Sequence, residues 1–114
     1  ERNARALRAG LEGMGLELFA KEDARLPTLT TVRIPEGITD ADVRSTLLRK
    51  HNIEIGGGLG PVAAKVWRIG LMGENSNPSS VFTFLSALEE VLAQEGHEVA
   101  RGEGLAAAQR ALVT

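Results

Sequence analysis

The pattern of hydrophobic and polar positions begins as a helix. Apolar residues recur at helical spacing from the start of the chain, with arginines and a glutamate between them: Ala4, Leu7, Leu11 and Met14. Glu1 opens directly into this pattern, without the Ser, Thr, Asp or Asn that usually caps a helix. We therefore expect residues 1–14 to be the end of an inter-domain helix, cut from a longer protein.

Strand patterns follow this helix. Residues 16–20 alternate well enough to form a strand, and residues 28–34 are rich in Thr, Val and Ile before Pro35 and Gly37. Further along, a short strand is predicted at residues 53–55 before a glycine-rich loop. A longer apolar strand is predicted at residues 65–72.

Two more helices have recognisable ends. Thr39 is the predicted N-cap of the first, with Asp42 in the capping-box position. The second is predicted to begin with Asn77 as N-cap and Pro78 as its first residue, and to end at Gly96. Its apolar stripe consists of Val81, Phe84, Leu85, Leu88, Val91 and Leu92.

The order of these elements is helix, strand, strand, helix, short strand, strand, helix. This order predicts an α+β fold, with a small, largely antiparallel sheet and helices packed on one face. The tail, residues 97–114, includes an Ala-rich segment whose apolar face is too small to anchor it firmly, so its order stays open. We see no internal repeat and expect residues 1–114 to form a single domain.

Composition narrows the classes of function. The 114 residues are 43% hydrophobic and 25% charged, which fits one compact domain with a modest core. The net charge of -2 and the lack of a basic run argue against nucleic-acid or anionic-membrane partners. There is no cysteine for a disulfide, a nucleophile or a metal site. Apolar runs are too short to span a bilayer, so we expect a cytoplasmic protein.

Most candidates for acid–base or metal chemistry have simpler explanations. His51 lies at a helix end, where it complements the helix dipole, and His97 is the second of the two histidines. Asp40 is explained by helix capping. Glu89 and Glu90 are adjacent on a helix and therefore point apart. We predict no metal site and no catalytic pair.

The glycine cluster at residues 56–60 resembles a phosphate-binding loop only superficially. It lacks the Gly-Lys-Ser/Thr ending of a P-loop, and it precedes a strand, whereas the dinucleotide fingerprint precedes a helix. The favoured interpretation is a tight connection with positive φ angles.

Arg68 is harder to explain, because it lies between Trp67 and Ile69 in an apolar strand. A cation in such surroundings is costly unless an anion meets it. One interpretation is an edge-strand arginine that extends along Trp67 or pairs with a nearby glutamate. The other is that its planar fork binds a ligand carboxylate.

Two segments carry a resemblance to a known family. "RLPTLTTVRIP" and "IEIGGGLGPVAAKVWRIGLMGENS" closely resemble the C-terminal small domain of alanine-glyoxylate (serine-pyruvate) aminotransferases, class V members of the fold type I pyridoxal-phosphate enzymes. The resemblance covers about residues 1 to 95. It implies that Arg68 binds the substrate carboxylate. It also implies that Gly57, Gly58, Leu59 and Gly60 form a loop near the active-site side of the domain.

The same resemblance implies that the chain is incomplete. Lys21, Lys50 and Lys65 do not match the segment that holds the family's Schiff-base lysine, which lies in a large domain. The parent would bind pyridoxal phosphate, act as a homodimer, and transfer an amino group from alanine or serine to a 2-oxo acid such as glyoxylate or pyruvate. We expect the 114-residue chain alone to hold no cofactor and to be inactive.

Two alternatives remain. An independent small-ligand-binding or dimerisation module would leave Arg68 a structural role. Another class V activity, such as serine-glyoxylate transamination or a desulfurase-like reaction, would keep the cofactor. A desulfurase normally uses a catalytic cysteine, which this chain lacks.

Overall fold

The computed structural model describes residues 2–19, 29–58, 60–70 and 77–113. These ranges contain four helices and a three-stranded sheet, and a single turn of 3-10 helix covers Gly60–Val62. The elements in chain order are α1 (Arg2–Gly13), β1 (Leu29–Arg33), α2 (Asp40–His51), β2 (Gly56–Gly57), β3 (Val66–Gly70), α3 (Pro78–Gln94) and α4 (Glu103–Leu112). The predicted α+β class is confirmed.

The sheet is antiparallel and has the order β1-β3-β2. β3 is therefore the central strand, and the interpretation of Arg68 as an edge-strand residue is wrong. In the register, Arg68 stands opposite Thr31 of β1 on one side and opposite Gly56 of β2 on the other.

Two strand predictions need correction. Of the predicted strand at residues 16–20, residue 20 lies outside the described part, and within residues 16–19 only Leu18 forms an isolated bridge, with Val32. The predicted strand at residues 53–55 is displaced to Gly56–Gly57, which pairs with β3. Ile55 is instead buried in the core, so its apolar character reflects packing and not strand pairing. The predicted strands at residues 28–34 and 65–72 correspond to β1 and β3; residues 28, 71 and 72 lie outside the described part.

The core lies between the helices and one face of the sheet. Alternation along the strands directs Val32, Trp67 and Ile69 to this face, and all three belong to the core. Thr31 and Arg68 are on the opposite face by the same alternation, and both are only partly buried. The largest fully buried side chains are Trp67, Leu7, Leu11, Leu47, Leu85, Leu88 and Leu92.

The predicted helix ends are right for α3 and wrong in detail for α2. The Asn77 side chain accepts a hydrogen bond of 2.8 Å from the Ser80 N–H, Pro78 opens α3, and Gly96 follows its end with φ of 89°. Thr39 precedes α2 in an extended conformation, but its side chain makes no capping hydrogen bond. The Asp40 side chain instead bonds to Arg44 one turn along α2 and to the distant Trp67.

The Ala-rich tail segment is ordered as α4, which lies along α1. Its small apolar face is compensated by close approach. A Cβ built on Gly104 would lie 2.5 Å from Met14 Cγ and 3.0 Å from the Gly10 carbonyl oxygen. Ala108 is fully buried. The sequence left the order of this segment open; its close packing on α1 is possible because small residues allow dense contact without large side chains.

Candidate functional site

Arg68 is held in place by the glycine-rich segment that precedes it in the chain. Its Nε donates a hydrogen bond of 2.8 Å to the Gly57 carbonyl oxygen. A Cβ built on Gly56 would lie 3.4 Å from Arg68 Nη2 and 3.6 Å from Nε, so the guanidinium rests against the bare backbone of that residue. Gly57 uses only one of the five donors of the guanidinium.

No carboxylate among the described residues forms an ion pair with Arg68. Ion pairs in the described part of the chain include Arg33 with Glu17, Arg44 with Asp40 and His51 with Glu90. A half-buried guanidinium without an anionic partner in the described part of the chain is suited to bind a carboxylate from outside it.

Glycine occupies its positions in the 56–60 cluster for different physical reasons. Gly60 has φ of 57°, as the positive-φ interpretation predicted. Gly58 is required by close approach, because its Cβ would lie 2.8 Å from the Val62 carbonyl carbon and closer still to the oxygen. Gly56 and Gly57 are each covered by a guanidinium group. Leu59 lies outside the described residues.

A second arginine reaches the same strand from the helix side. A Cβ built on Gly57 would lie 3.5 Å from Arg44 Cζ. Arg44 belongs to α2 and forms two hydrogen bonds with Asp40: Nε donates to Oδ1 at 2.8 Å, and Nη2 donates to Oδ2 at 2.9 Å. β2 is therefore flanked by Arg68 at Gly56 and by Arg44 at Gly57.

Asp40 is the centre of this polar cluster. Its Oδ1 also accepts a hydrogen bond of 2.8 Å from the indole Nε1 of the fully buried Trp67. The hydrogen bond from Arg44, aided by that from Trp67, lowers the pKa of Asp40 even though burial acts in the opposite direction. The pKa of Arg44 is raised by the same hydrogen bond from its side. Asp40 is thus ionised at neutral pH.

Sequence reasoning missed this cluster because Asp40 also fits the start of a helix. Two signals pointed to it. Asp40 and Arg44 are separated by four residues, the spacing that brings side chains together on a helix. A tryptophan inside an apolar strand usually needs an acceptor for its indole N–H when buried.

His51, Glu89 and Glu90 make contacts between helices or at a helix end. His51 Nε2 lies 2.8 Å from Glu90 Oε2, although the two groups are not aligned as a hydrogen bond. Glu89 Oε1 accepts a hydrogen bond of 3.0 Å from the Gly102 N–H. The two glutamates point apart, as predicted, but both have partners within the chain. A cavity of about 940 Å³ borders all three side chains and does not include Arg68.

Within the described ranges, no three His, Cys, Asp or Glu side chains are grouped to hold a metal ion. The helices of those ranges are too short or too polar to cross a membrane.

The described lysines do not fit a cofactor site. Lys50 on α2 and Lys65 before β3 are both exposed, whereas a lysine that forms a Schiff base is activated in a desolvated pocket. Lys21 lies outside the described residues. The guanidinium of Arg68, which has donors left over beyond its bond to Gly57, is suited to bind a carboxylate group.

Comparisons with known proteins place this arrangement in context. The chain is 42% identical over 103 residues to (S)-ureidoglycine–glyoxylate transaminase of Bacillus subtilis, a match that covers 90% of this chain and 25% of that protein. It is 43% identical over 90 residues to alanine–glyoxylate aminotransferase of Drosophila melanogaster, covering 78% and 23% respectively. No protein-family model matches the chain.

The fold agrees with these sequence matches. The crystal structure of ureidoglycine–glyoxylate aminotransferase from Bacillus subtilis superposes with a TM-score of 0.94 at 38% identity, over 99% of this chain and 29% of that one. The chain thus spans about a quarter of the length of the relatives it matches. It therefore belongs to the family of alanine–glyoxylate and ureidoglycine–glyoxylate aminotransferases, as a homologue of their C-terminal part.

Proposed function

We propose that this chain is the C-terminal small domain of an aminotransferase in which Arg68 binds the carboxylate of the substrate. The parent enzyme transfers an amino group from a small amino acid, alanine or serine, to a 2-oxo acid such as glyoxylate or pyruvate. The observation that carries the proposal is the half-buried guanidinium of Arg68, fixed through Nε and unpaired with any described carboxylate.

The geometry of Arg68 suits both halves of a transamination. Amino donor and oxo acceptor each carry a carboxylate next to the reacting carbon, so one planar fork can bind them in turn. Placement on the central strand supports this role, because residues flanked by strands on both sides are held more rigidly than residues in loops. A fixed carboxylate orients the bond to be broken.

The names of the relatives support the class of acceptor. Both the Bacillus and the Drosophila proteins are named for glyoxylate, whereas their named donors differ. Ureidoglycine is a third candidate donor, because the ureidoglycine–glyoxylate enzyme superposes over 99% of this chain. Comparing kcat/KM for alanine, serine and ureidoglycine in the full-length parent decides between the donors.

The cofactor belongs to the part of the parent outside this chain. Pyridoxal phosphate supplies the carrier of the amino group and the electron sink for this reaction. The residues of this chain bind and orient the substrate. We propose that the missing large domain provides the lysine and the phosphate contacts, and that the 114-residue chain alone does not transaminate.

The test is Arg68→Lys in the full-length parent. A point charge replaces a two-pronged fork, so kcat/KM for L-alanine should fall roughly fivefold to 150-fold, which corresponds to a loss of about 1 to 3 kcal/mol in transition-state stabilisation. Arg33→Lys is the matched control, because Arg33 is an exposed arginine on the neighbouring strand β1. Equal kinetics for Arg68→Lys and the unmodified parent would exclude the carboxylate role.

A further inference from the structure

The structure assigns a second arginine to the same function: we propose that Arg44, fixed by Asp40, is a positioning residue that sets the orientation of Arg68 through Gly57. This inference rests on the proposed function of Arg68. It extends the substrate-binding site to α2, a helix that makes no described hydrogen bond or ion pair with the Arg68 side chain.

The first step is that Arg44 itself has little freedom. Two parallel hydrogen bonds join its guanidinium to Asp40, and this two-pronged geometry fixes the plane of the group. Asp40 is fixed in turn by the indole of Trp67, whose ring is fully buried in the core. The side chain of Asp40 is only 12% exposed. Arg44 is therefore attached to the hydrophobic core through a chain of directed bonds.

The second step is that β2 needs external support. It has only two residues, both glycine, and glycine has more backbone freedom to lose on ordering than any other residue. It pairs with β3 on one side only, as the end strand of the sheet order. It also has no side chains of its own with which to contact the core. The guanidinium of Arg44 packs beside Gly57, where a Cβ would be in ordinary contact with it at 3.5 Å from Cζ.

The third step connects Gly57 to Arg68. The carbonyl of Gly57 accepts the Arg68 Nε–H at 2.8 Å. If β2 moved away by about 1 Å, this distance would pass out of hydrogen-bond range. The orientation of the guanidinium plane would then no longer be fixed by Gly57. Displacements of that size in a binding group are enough to lower catalytic efficiency substantially.

Arg44 should affect only substrates that have a carboxylate, because Arg44 does not touch the substrate and acts only through Arg68. The reaction rate with an amine substrate that lacks a carboxylate should not change when Arg44 is replaced. This difference separates positioning of Arg68 from a general role in stability.

The experiment uses the full-length parent with pyridoxal phosphate and two probes, L-alanine and ethylamine, measured as single-turnover rates across probe concentration. Arg44→Ala is expected to lower the efficiency with L-alanine about threefold to tenfold, mainly through weaker binding, and to leave ethylamine unchanged. Arg49→Ala is the matched control, because Arg49 is an exposed arginine of the same helix. It should change neither probe.

Two further variants complete the test. In an Arg68→Ala background, Arg44→Ala should have no additional effect on L-alanine, because the group it positions is gone. Arg44→Lys keeps a charge for Asp40 but loses the planar group beside Gly57, so it should weaken L-alanine binding in the same direction. It also provides a folded variant if Arg44→Ala does not accumulate.

Three results would overturn the inference: equal loss for L-alanine and ethylamine, no loss for L-alanine, or the same loss with and without Arg68. Failure of the proposed function itself has a different signature. In that case Arg68→Ala would leave the preference for L-alanine over ethylamine unchanged, whatever the behaviour of Arg44.

Discussion

Two regions of this molecule depend on glycine, and they use it for different ends. At the α1–α4 crossing, Gly10, Gly13 and Gly104 allow two helices to approach until backbone and side-chain atoms are in contact. In the 56–60 segment, the absent side chains leave space for a carbonyl group and two guanidinium groups. The first region is apolar and closes the core. The second region is polar and holds the candidate site.

The difference shows that a glycine cluster is informative only through what fills the space beside it. Gly104 is filled by Met14 and by the backbone of Gly10, which is a packing contact. The guanidinium groups of Arg68 and Arg44 lie beside Gly56 and Gly57. This places two charged groups against a strand that has no side chains. Both regions contain positions where a side chain would clash with its neighbours. Only the second region contains groups that can bind an anion.

Gly58→Ala should have the largest effect on stability. Its Cβ would meet the backbone carbonyl of Val62, which cannot rotate aside as a side chain can. We expect a loss of about 3 kcal/mol in the free energy of unfolding, the upper range for overpacking. Urea unfolding of the 114-residue chain, followed by the fluorescence of its one tryptophan, measures this. Gly56→Ala, where the nearest contact would be an ordinary 3.4 Å, is the control; similar losses for both would contradict the steric explanation.

Gly104→Ala tests the helix crossing and should cost less. The new methyl would press on Met14, a flexible side chain, and on the Gly10 carbonyl at 3.0 Å. Alanine favours a helix over glycine by about 1 kcal/mol, which offsets part of the overpacking, so we expect a net loss of about 1 to 2 kcal/mol. Gln109→Ala, at an exposed position of α4, should lie within about 0.5 kcal/mol of the unmodified chain. A stabilised Gly104→Ala chain would show that the crossing relaxes easily.

Asp40→Asn should have the smallest effect, about 1 kcal/mol near neutral pH, because Arg44 retains 39% side-chain exposure and water replaces part of the lost interaction. The loss should depend on pH. Hydrogen bonding to Arg44 lowers the folded-state pKa of Asp40 below its ordinary value. Its contribution is therefore complete above about pH 4, the ordinary value, and is lost as the pH falls through the lower folded-state pKa.

The unmodified chain and Asp40→Asn should thus converge in stability as the pH falls below about 4, as measured by urea unfolding at a series of pH values. Asp42→Asn is the matched control, because Asp42 lies exposed in the same first turn of α2. A gap between the unmodified chain and Asp40→Asn that stayed constant down to pH 2 would exclude ionised Asp40 as its cause.

Elements with local signals were predictable from the sequence. The Asn77–Pro78 start of α3 and its apolar stripe need only neighbouring residues, and the structure has both. β1 and β3 carry β-branched and apolar residues where strands were expected. β2 was not predictable in this way, because glycine has no preference for strands and its pairing depends on β3, which follows later in the chain.

The candidate site shows the same contrast between features with a local sequence signal and features that depend on distant contacts. The position of Arg68 was evident because a cation among apolar residues needs an explanation, and its proximity to the glycine segment was expected from the family resemblance. Arg44 and Asp40 were not identified, because an Asp in a first helical turn has a sufficient local explanation. Likewise, the close contact that anchors α4 depends on Gly10 and Gly104, which are 94 positions apart in the sequence.

The strand order has a consequence for how copies of the chain behave toward one another. A sheet edge with free N–H and C=O groups invites pairing with another chain and can lead to aggregation. Here the outer edge of β1 is partly occupied, since Phe19 N–H donates to the Thr31 carbonyl and Arg33 N–H donates to the Glu17 carbonyl. The other edge is β2, only two residues long. The sheet thus leaves little template for intermolecular strands.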